Sequence, residues 1–405
     1  MAVRRIIQMD YLARGEVGHN QIYSLAIARE AARRGLAAEI WCARNCTIKS
    51  KYARRMFGEI KPSGRLGHIS QAFWKAAELR KLVTLPEMES TDVMLFHTVF
   101  ITFFISLSLA LIGIRPKPKI IVVMRRGLRD RHLLNLPAML NDAVSWLMAA
   151  PFILFLNRLM GVRFATDSEM ITEELSKSGL KGVFTLPIPH ITATGHGAEI
   201  GGPVIGYVGG ARIEKGFDRL PEIAEAVLKK NKTAEFLIQA HIEPKYYYSQ
   251  GMEGAKKRLR RMEASNPRSI QLVDRSLSYP EYLELMGKCS IILLPYRAEL
   301  YGKGTSGILA EAVAMGKWIV APGSTWMSLQ KKRYGKIVEF DAETAEGIAD
   351  AVGKCAKLDK NINRAKVERQ IREWVRLHSP ENYLTVLLDN LDDKRGETRS
   401  EADDW

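Results

Sequence analysis

Lys303-Gly-Thr-Ser-Gly-Ile-Leu-Ala-Glu311 combines small residues, a cation and a carboxylate within nine positions. Gly304, Thr305, Ser306 and Gly307 read as a turn that opens a helix, whose first backbone N–H groups lack intrahelical partners and attract anions. Glu311 follows one turn later, placed to accept hydrogen bonds from sugar hydroxyls. A phosphate site beside a hydroxyl acceptor points to a nucleotide or a nucleotide-sugar. The run Ser290-Ile-Ile-Leu-Leu-Pro295 precedes it with the length and composition of a buried parallel strand.

About ninety residues upstream, Val204-Ile-Gly-Tyr-Val-Gly209 is a strand ending in glycine. Gly210, Arg212, Lys215 and Gly216 follow it. Leu220, Ile223, Ala224, Val227 and Leu228 then keep the i, i+3, i+4, i+7, i+8 spacing of one buried helix face. Arg212 and Lys215 thus occupy a strand-to-helix turn at the carboxyl end of a strand, where open α/β sheets bind ligands. Arginine grips phosphate bidentately and lysine acts as a compact point charge. Alone, R-x-x-K-G also describes a solvated turn. Its place ahead of the Glu311 element in one βα array is what gives it meaning.

With those residues in view, the C-terminal half resembles the donor-binding domain of GT-B glycosyltransferases of the retaining family 4 type. The resemblance implies a GT-B α/β fold: two Rossmann-like domains facing a cleft, with a C-terminal helix crossing back to the first. It implies transfer of a sugar, hexosyltransferase fashion, from a nucleoside-diphosphate donor with retention of configuration. Arg212, Lys215 and Glu311 would carry the catalytic roles, the two cations holding the diphosphate and Glu311 the ribose. Gly209, Gly210, Lys303, Gly304, Thr305, Ser306 and Gly307 would complete the donor site. The family pairs Glu311 with a glutamate eight residues earlier, and here that position is Lys303. Two readings stay open: a lysine suited to an acidic sugar, or Glu299 reaching into the site instead.

Length and composition agree. The 405 residues suit two domains, and 46% hydrophobic residues support two cores. The expected division is residues 1–190, then 203–375, with a returning helix near 380–392 and a polar, disordered tail at 393–405. Thr, Gly and Ala clustered between His190 and Gly202 mark the linker. Cys42, Cys46, Cys289 and Cys355 are few and scattered, as in a reducing cytoplasm. Cys42-x3-Cys46 lacks a matching Cys/His pair, so it reads as a strand-end coincidence rather than a metal site. No Asp-x-Asp occurs, so neither a metal nor a cofactor beyond the nucleotide-sugar is expected. No cleavable signal peptide is expected, because Arg4 and Arg5 precede only a short apolar strand.

Charge is uneven. Residues 1–200 hold 27 Lys and Arg against 16 Asp and Glu, a net of +11, while the rest hold 33 against 29, a net of +4. An anionic partner for the first half follows, either a lipid-linked or saccharide acceptor or an anionic membrane face, unless the surface is simply basic. Nucleic acid is not expected, since no recognition motif accompanies the charge. The location expected is cytoplasmic, with contact at the inner membrane face left open.

The first half reads as α/β too. Arg5–Met9 is a strand, Tyr11–Asn20 a loop with Gly15 and Gly18, and a helix from about Gln21 ends at Gly35. The loop lacks the full G-x-G-x-x-G fingerprint, so a dinucleotide is not indicated. By the resemblance, Gly15 and Gly18 would let the backbone approach donor or acceptor. Two later strands end in His97 and in Arg125-Arg126. His97 reads as a satisfied strand-end histidine or a catalytic one. Family members carry a histidine where this chain has Arg125. Arg125 and Arg126 read as an acceptor clamp or as surface cations. Thr166-Asp-Ser168-Glu169 reads as a helix N-cap.

Val93–Ile114 is uncharged and long enough to span a bilayer, yet Asp92 and the prolines Pro116 and Pro118 bound it as a strand plus a buried helix. Arg54–Lys81, with Met56, Phe57, Phe73 and Trp74, reads as an amphipathic helix, packed on its domain or touching a membrane. The acceptor expected is an intermediate of cell-surface polysaccharide or glycolipid synthesis. A non-catalytic GT-B-like protein that binds a phosphorylated ligand or an anionic membrane is the alternative, supported by Lys303 and Arg125.

Overall fold

The structure, a computed structural model, describes residues 2–10, 19–58, 67–97, 101–125, 138–189, 203–242 and 249–392. It divides into two units, residues 1–189 with 379–405, and His190–His378.

The first unit alternates strand and helix: β1 (Arg5–Asp10), α1 (His19–Arg33), β2 (Ala37–Ala43), β3 (Ala53–Phe57), α2 (Gly67–Val83), β4 (Asp92–His97), α3 (Ile101–Leu111), β5 (Lys119–Met124), α4 (Ala138–Arg158), β6 (Arg163–Thr166), α5 (Glu169–Lys177) and β7 (Phe184–Thr185). All seven strands pair in parallel, in the order β3-β2-β1-β4-β5-β6-β7. The period-2 alternation of strands splits their side chains between two cores. Ile120, Val122 and Met124 join Met94, Phe96 and Phe164 under α3 and α4. Ile121 and Val123 join Ile6, Val93 and Leu95 on the other face, against α1. Burial on both faces is why the central strands β4 and β5 are apolar from Val93 to Phe96 and from Ile120 to Met124.

At the base of β1, Asp92 is buried between Arg4 and Arg5, accepting from Arg4 Nε at 2.9 Å and Arg5 Nη2 at 2.7 Å. Burial alone would raise its pKa. The hydrogen bonds from both guanidinium groups and the Glu89 amide outweigh that, holding it below the usual carboxylate range.

The second unit begins with β8 (Val204–Tyr207), α6 (Leu220–Lys230), β9 (Glu235–Gln239), α7 (Ser249–Ser265), β10 (Ile270–Val273), α8 (Tyr279–Lys288) and β11 (Ile291–Leu293). It continues through α9 (Ala298–Tyr301), α10 (Gly307–Ala314), β12 (Trp318–Pro322), α11 (Trp326–Leu329), β13 (Ile337–Phe340), α12 (Ala345–Asp359) and α13 (Arg364–Leu377). Its six strands are again parallel, ordered β10-β9-β8-β11-β12-β13. Trp374 of α13 donates to the Ala310 carbonyl at 3.1 Å, pinning α10 from behind. The last helix, α14 (Pro380–Asp392), belongs to the first unit, where Tyr383, Leu384, Leu387 and Leu391 fill the core over α1. Arg34, in the turn after α1, bonds the Glu381 carbonyl and the Thr385 hydroxyl.

Several expectations are corrected. Arg54, Arg55 and Met56 lie on the edge strand β3 rather than on a helix, with Arg54 and Arg55 exposed. An edge strand needs only one buried face, and charges on it discourage further pairing. Helix α1 begins at His19, two residues before the expected start. The Val93–Ile114 stretch is, as expected, a strand followed by a helix, β4 and α3, and eleven helical residues span only about 16 Å. Among the described residues no helix is long and apolar enough to cross a membrane. Ser168 occupies the N-cap of α5 without a side-chain cap bond; Thr166 Oγ1 instead accepts from the Ser168 amide at 3.1 Å. Cys42 and Cys46 sit in a small apolar cluster with Ile48, and burial followed by the neighbouring Cys46 pushes the Cys42 thiol up to about 12. The linker 190–202 and the tail 393–405 lie outside the described residues.

Candidate functional site

In the second sheet the strand order reverses between β8 and β11, and crevices at such switch points bind ligands at the carboxyl ends of strands. The turn after β8 carries Gly209, Gly210, Arg212 and Lys215. The segment after β11 carries Tyr296, Lys303 and the entry to α10.

The R-x-x-K-G turn is two consecutive 3₁₀ turns, Ile213–Lys215 and Phe217–Arg219. Gly216 joins them at φ +72, and a Cβ there would stand 1.9 Å from the Pro295 carbonyl oxygen, so the turn lies directly on the segment after β11. Arg219 donates to that same carbonyl at 2.7 Å, and the Arg297 guanidinium bonds Asp218 at 2.6 Å. Gly209 has φ +96; a Cβ there would meet Ile308 at 2.7 Å and Lys215 Nζ at 3.4 Å. The absent side chain thus brings backbone, ammonium and α10 entry into one place. Lys215 Nζ also stands over the buried Tyr296 ring, 5.7 Å from its centre. Arg212 is half-buried and 3.8 Å from Glu214.

Helix α10 begins at Gly307, with Ser306 as its N-cap, and Ser306 Oγ accepts from the Leu309 amide at 3.2 Å. One of the expected free amides is therefore satisfied by the cap. Lys303, Gly304 and Thr305 are half-buried ahead of it, and Glu299 is exposed on α9.

Glu311 is 2% exposed. Tyr282 donates to its Oε2 at 2.6 Å and Tyr279 to its Oε1 at 3.3 Å, their rings near-parallel with centres 6.1 Å apart. Burial raises the Glu311 pKa to about 7, against the two tyrosine hydrogen bonds and the Lys215 charge, which pull it down. A carboxylate poised between its two protonation states, with a cation alongside, suits a ligand that presents both hydroxyls and phosphate.

Tyr279, Tyr282, Tyr296 and Ile308 were not among the expected site residues. Tyr279 and Tyr282 carried a signal: i, i+3 spacing places them on one face of a helix, and Ser278 and Glu281 form its capping box.

In the first unit the switch point lies between β1 and β4. His97 ends β4, is 4% exposed, and neither ring nitrogen has a hydrogen-bond partner among the described residues. Burial first, and the Arg125 charge second, hold its pKa well below the ordinary histidine range, so the ring is neutral. Arg125 lies over the Tyr23 ring at 5.2 Å. Asp10, at the end of β1, is buried and accepts from Ser24 at 3.4 Å. His97 and Arg125 are thus brought together at one sheet edge. Gly15, Gly18 and Arg126 lie outside the described residues.

No family model matches the sequence, and no curated protein is similar to it in sequence. Solved structures are similar to it in fold. A glycosyltransferase from Rickettsia africae ESF-5 matches at TM-score 0.64 and 13% identity, over 97% of this chain and 100% of that one. Anabaena HepE, solved with UDP and glucose, matches at 0.66 and 12%, over 96% and 99%. Sucrose-phosphate synthase from Thermosynechococcus elongatus matches at 0.70 and 12%, over 96% and 99%. The fold is that of the GT-B glycosyltransferases.

Proposed function

We propose that this chain is a retaining, family 4-type glycosyltransferase that moves a sugar from a nucleoside-diphosphate sugar to a lipid-linked or saccharide acceptor in cell-surface polysaccharide or glycolipid synthesis. The observation that carries the reading is the convergence of Glu311, Lys215 and the α10 entry at the switch point of the second sheet. HepE, similar in fold, was solved with UDP-glucose, a donor of the proposed class.

In this reading the ribose hydroxyls of the donor displace the Tyr279 contact and donate to Glu311. Arg212, Lys215 and the first-turn amides at the start of α10 hold the diphosphate. As the anomeric bond breaks, negative charge grows on the leaving diphosphate. Cations fixed before the reaction stabilise that charge without reorganising, usually the largest catalytic contribution. The acceptor hydroxyl attacks from the donor's own face as the diphosphate leaves, and the leaving oxygen takes its proton. His97 and Arg125 are the acceptor-side candidates. A neutral imidazole accepts a hydrogen bond from a hydroxyl, while Arg125 suits an acceptor phosphate or carboxylate.

The test is calorimetric titration with UDP, GDP and ADP of the native chain and of Glu311→Ala. One nucleotide binding tightly, and at least tenfold more weakly to the variant, supports the donor site. No nucleotide binding by the folded protein sinks the proposal. Binding with neither transfer nor donor hydrolysis points to a non-catalytic relative.

A further inference from the structure

Seven large apolar side chains are exposed among the described residues, and four of them belong to the α3–α4 region of the first unit. Leu147 and Leu159 are each 75% exposed, Ile112 55% and Met148 50%. On α4 the buried positions are Ala149, Ile153 and Leu156, which share one stripe at i, i+4, i+7. Among the described residues of the opposite side, Leu147, Met148, Pro151 and Leu159 are exposed, with Arg158 between them, while Leu154 and Phe155 are half-buried and pack against the core. A helix anchored by one apolar face ordinarily turns a polar face to water. Here the outward side is mostly apolar and carries a cation.

Ser108 of α3 bonds the Phe152 carbonyl of α4 at 3.4 Å. Both helices follow parallel strands and run the same way, so Ile112 ends level with the last turns of α4. Cations ring that end. Arg80 reaches the Ile112 carbonyl, Arg158 reaches the Gly179 carbonyl, and Asn157 bonds the Lys181 carbonyl. Arg115, Lys117, Arg158 and Lys181 are exposed. Residues 101–125, 143–166 and 175–189 contain no Asp or Glu; α2, which supplies Arg80, carries Glu78, and α5 carries Glu173, paired with Lys177, and Glu174.

We infer that the exposed apolar stripe of α4, with Ile112 and the surrounding arginines and lysines, seats the first unit on an anionic lipid surface. The apolar side chains enter the acyl boundary while the cations meet lipid phosphates, the two contributions that hold interfacial helices. The charge pattern selects lipid over other occupants: a second copy would set this cationic rim against its own, and a nucleic acid gives exposed leucines nothing to bury against. Because Ala149, Ile153 and Leu156 are fixed in the core, the helix lies on the membrane and does not cross it. The inference is independent of the donor-site reading, which concerns the other unit.

Co-sedimentation with vesicles of phosphatidylcholine containing about 30% phosphatidylglycerol, and with vesicles of phosphatidylcholine alone, tests it. The full chain is compared with Leu147→Ser/Leu159→Ser and with Lys117→Glu/Lys181→Glu, all four positions being exposed. The expected result is binding to anionic vesicles, at least tenfold weaker in either double variant and far weaker on neutral vesicles. An unchanged melting temperature shows that the variants fold. Binding equal in all three proteins, or absent from the native chain, overturns the inference. A native dimer that Leu147→Ser/Leu159→Ser converts to monomer also overturns it, by assigning the surface to a second copy.

Discussion

Tyr282 of α8 and Glu311 of α10 are joined by a 2.6 Å hydrogen bond inside the second unit, so the buried carboxylate is oriented by a residue of another helix. The Tyr279 contact to the other oxygen, at 3.3 Å, is the weaker of the two and the one a ligand displaces more easily. Tyr282→Phe should therefore weaken nucleotide binding about tenfold, the worth of one hydrogen bond to a charged group. Tyr279→Phe should cost less. Calorimetry on both variants decides; equal losses would mean that neither hydroxyl orients Glu311.

The raised pKa of Glu311 sets a pH dependence of stability. In the folded chain its proton leaves near pH 7, and in the unfolded chain near 4.5. Between those values the folded state binds more protons, so stability falls as pH rises through the window. Above pH 7 the ionised group costs roughly 3 kcal/mol relative to an unshifted carboxyl. Glu311→Gln should remove that slope, visible as a melting temperature that declines from pH 5 to 8 in the native chain but stays flat in the variant.

Asp92 behaves in the opposite sense. Its folded pKa lies below the ordinary value, so its stabilisation is full above about pH 4 and is lost as pH falls through the folded value. Asp92→Asn leaves the buried Arg5 with only its longer Glu39 contact, at 3.3 Å, and should cost about 3 kcal/mol at neutral pH. Urea unfolding should show the deficit shrinking in acid; a deficit independent of pH would place its origin in packing.

Gly216 and Gly209 separate stability from binding. Gly216→Ala forces a left-handed residue into the Pro295 carbonyl and should cost about 2–4 kcal/mol in urea unfolding. At Gly209 the clash is with the tip of Ile308, a flexible end. Gly209→Ala should destabilise less, yet crowd Lys215 and reduce nucleotide affinity severalfold. Affinity unchanged in Gly209→Ala would remove that backbone from the donor site.

The sequence made much of the second unit legible because its signals are local. The glycine that ends β8, the R-x-x-K-G turn and the amphipathic α6 each follow from a few neighbouring residues. The Tyr279–Tyr282–Glu311 grouping is not legible because the two tyrosines lie about thirty residues before Glu311 and meet it only when α8 packs beside α10. The edge strand β3 was read as helix because Arg54 and Arg55 interrupt the alternation that marks a half-buried strand. The outward face of α4 was invisible for another reason. A largely apolar helix announces burial, and its sequence does not say which half of its surface the fold leaves open.

Helix α14 imposes an order on how the protein is made. The core over α1 is closed by Tyr383, Leu384, Leu387 and Leu391, and the whole of His190–His378 is synthesised before them. At ribosomal speed that interval lasts roughly 10–40 s. Throughout it the first unit carries an open apolar groove between Ile27, Ala31 and the sheet, so the part of the chain made first is the part that finishes folding last. The nascent protein therefore depends on its own second unit folding promptly, or on a chaperone covering the groove, until the final helix arrives.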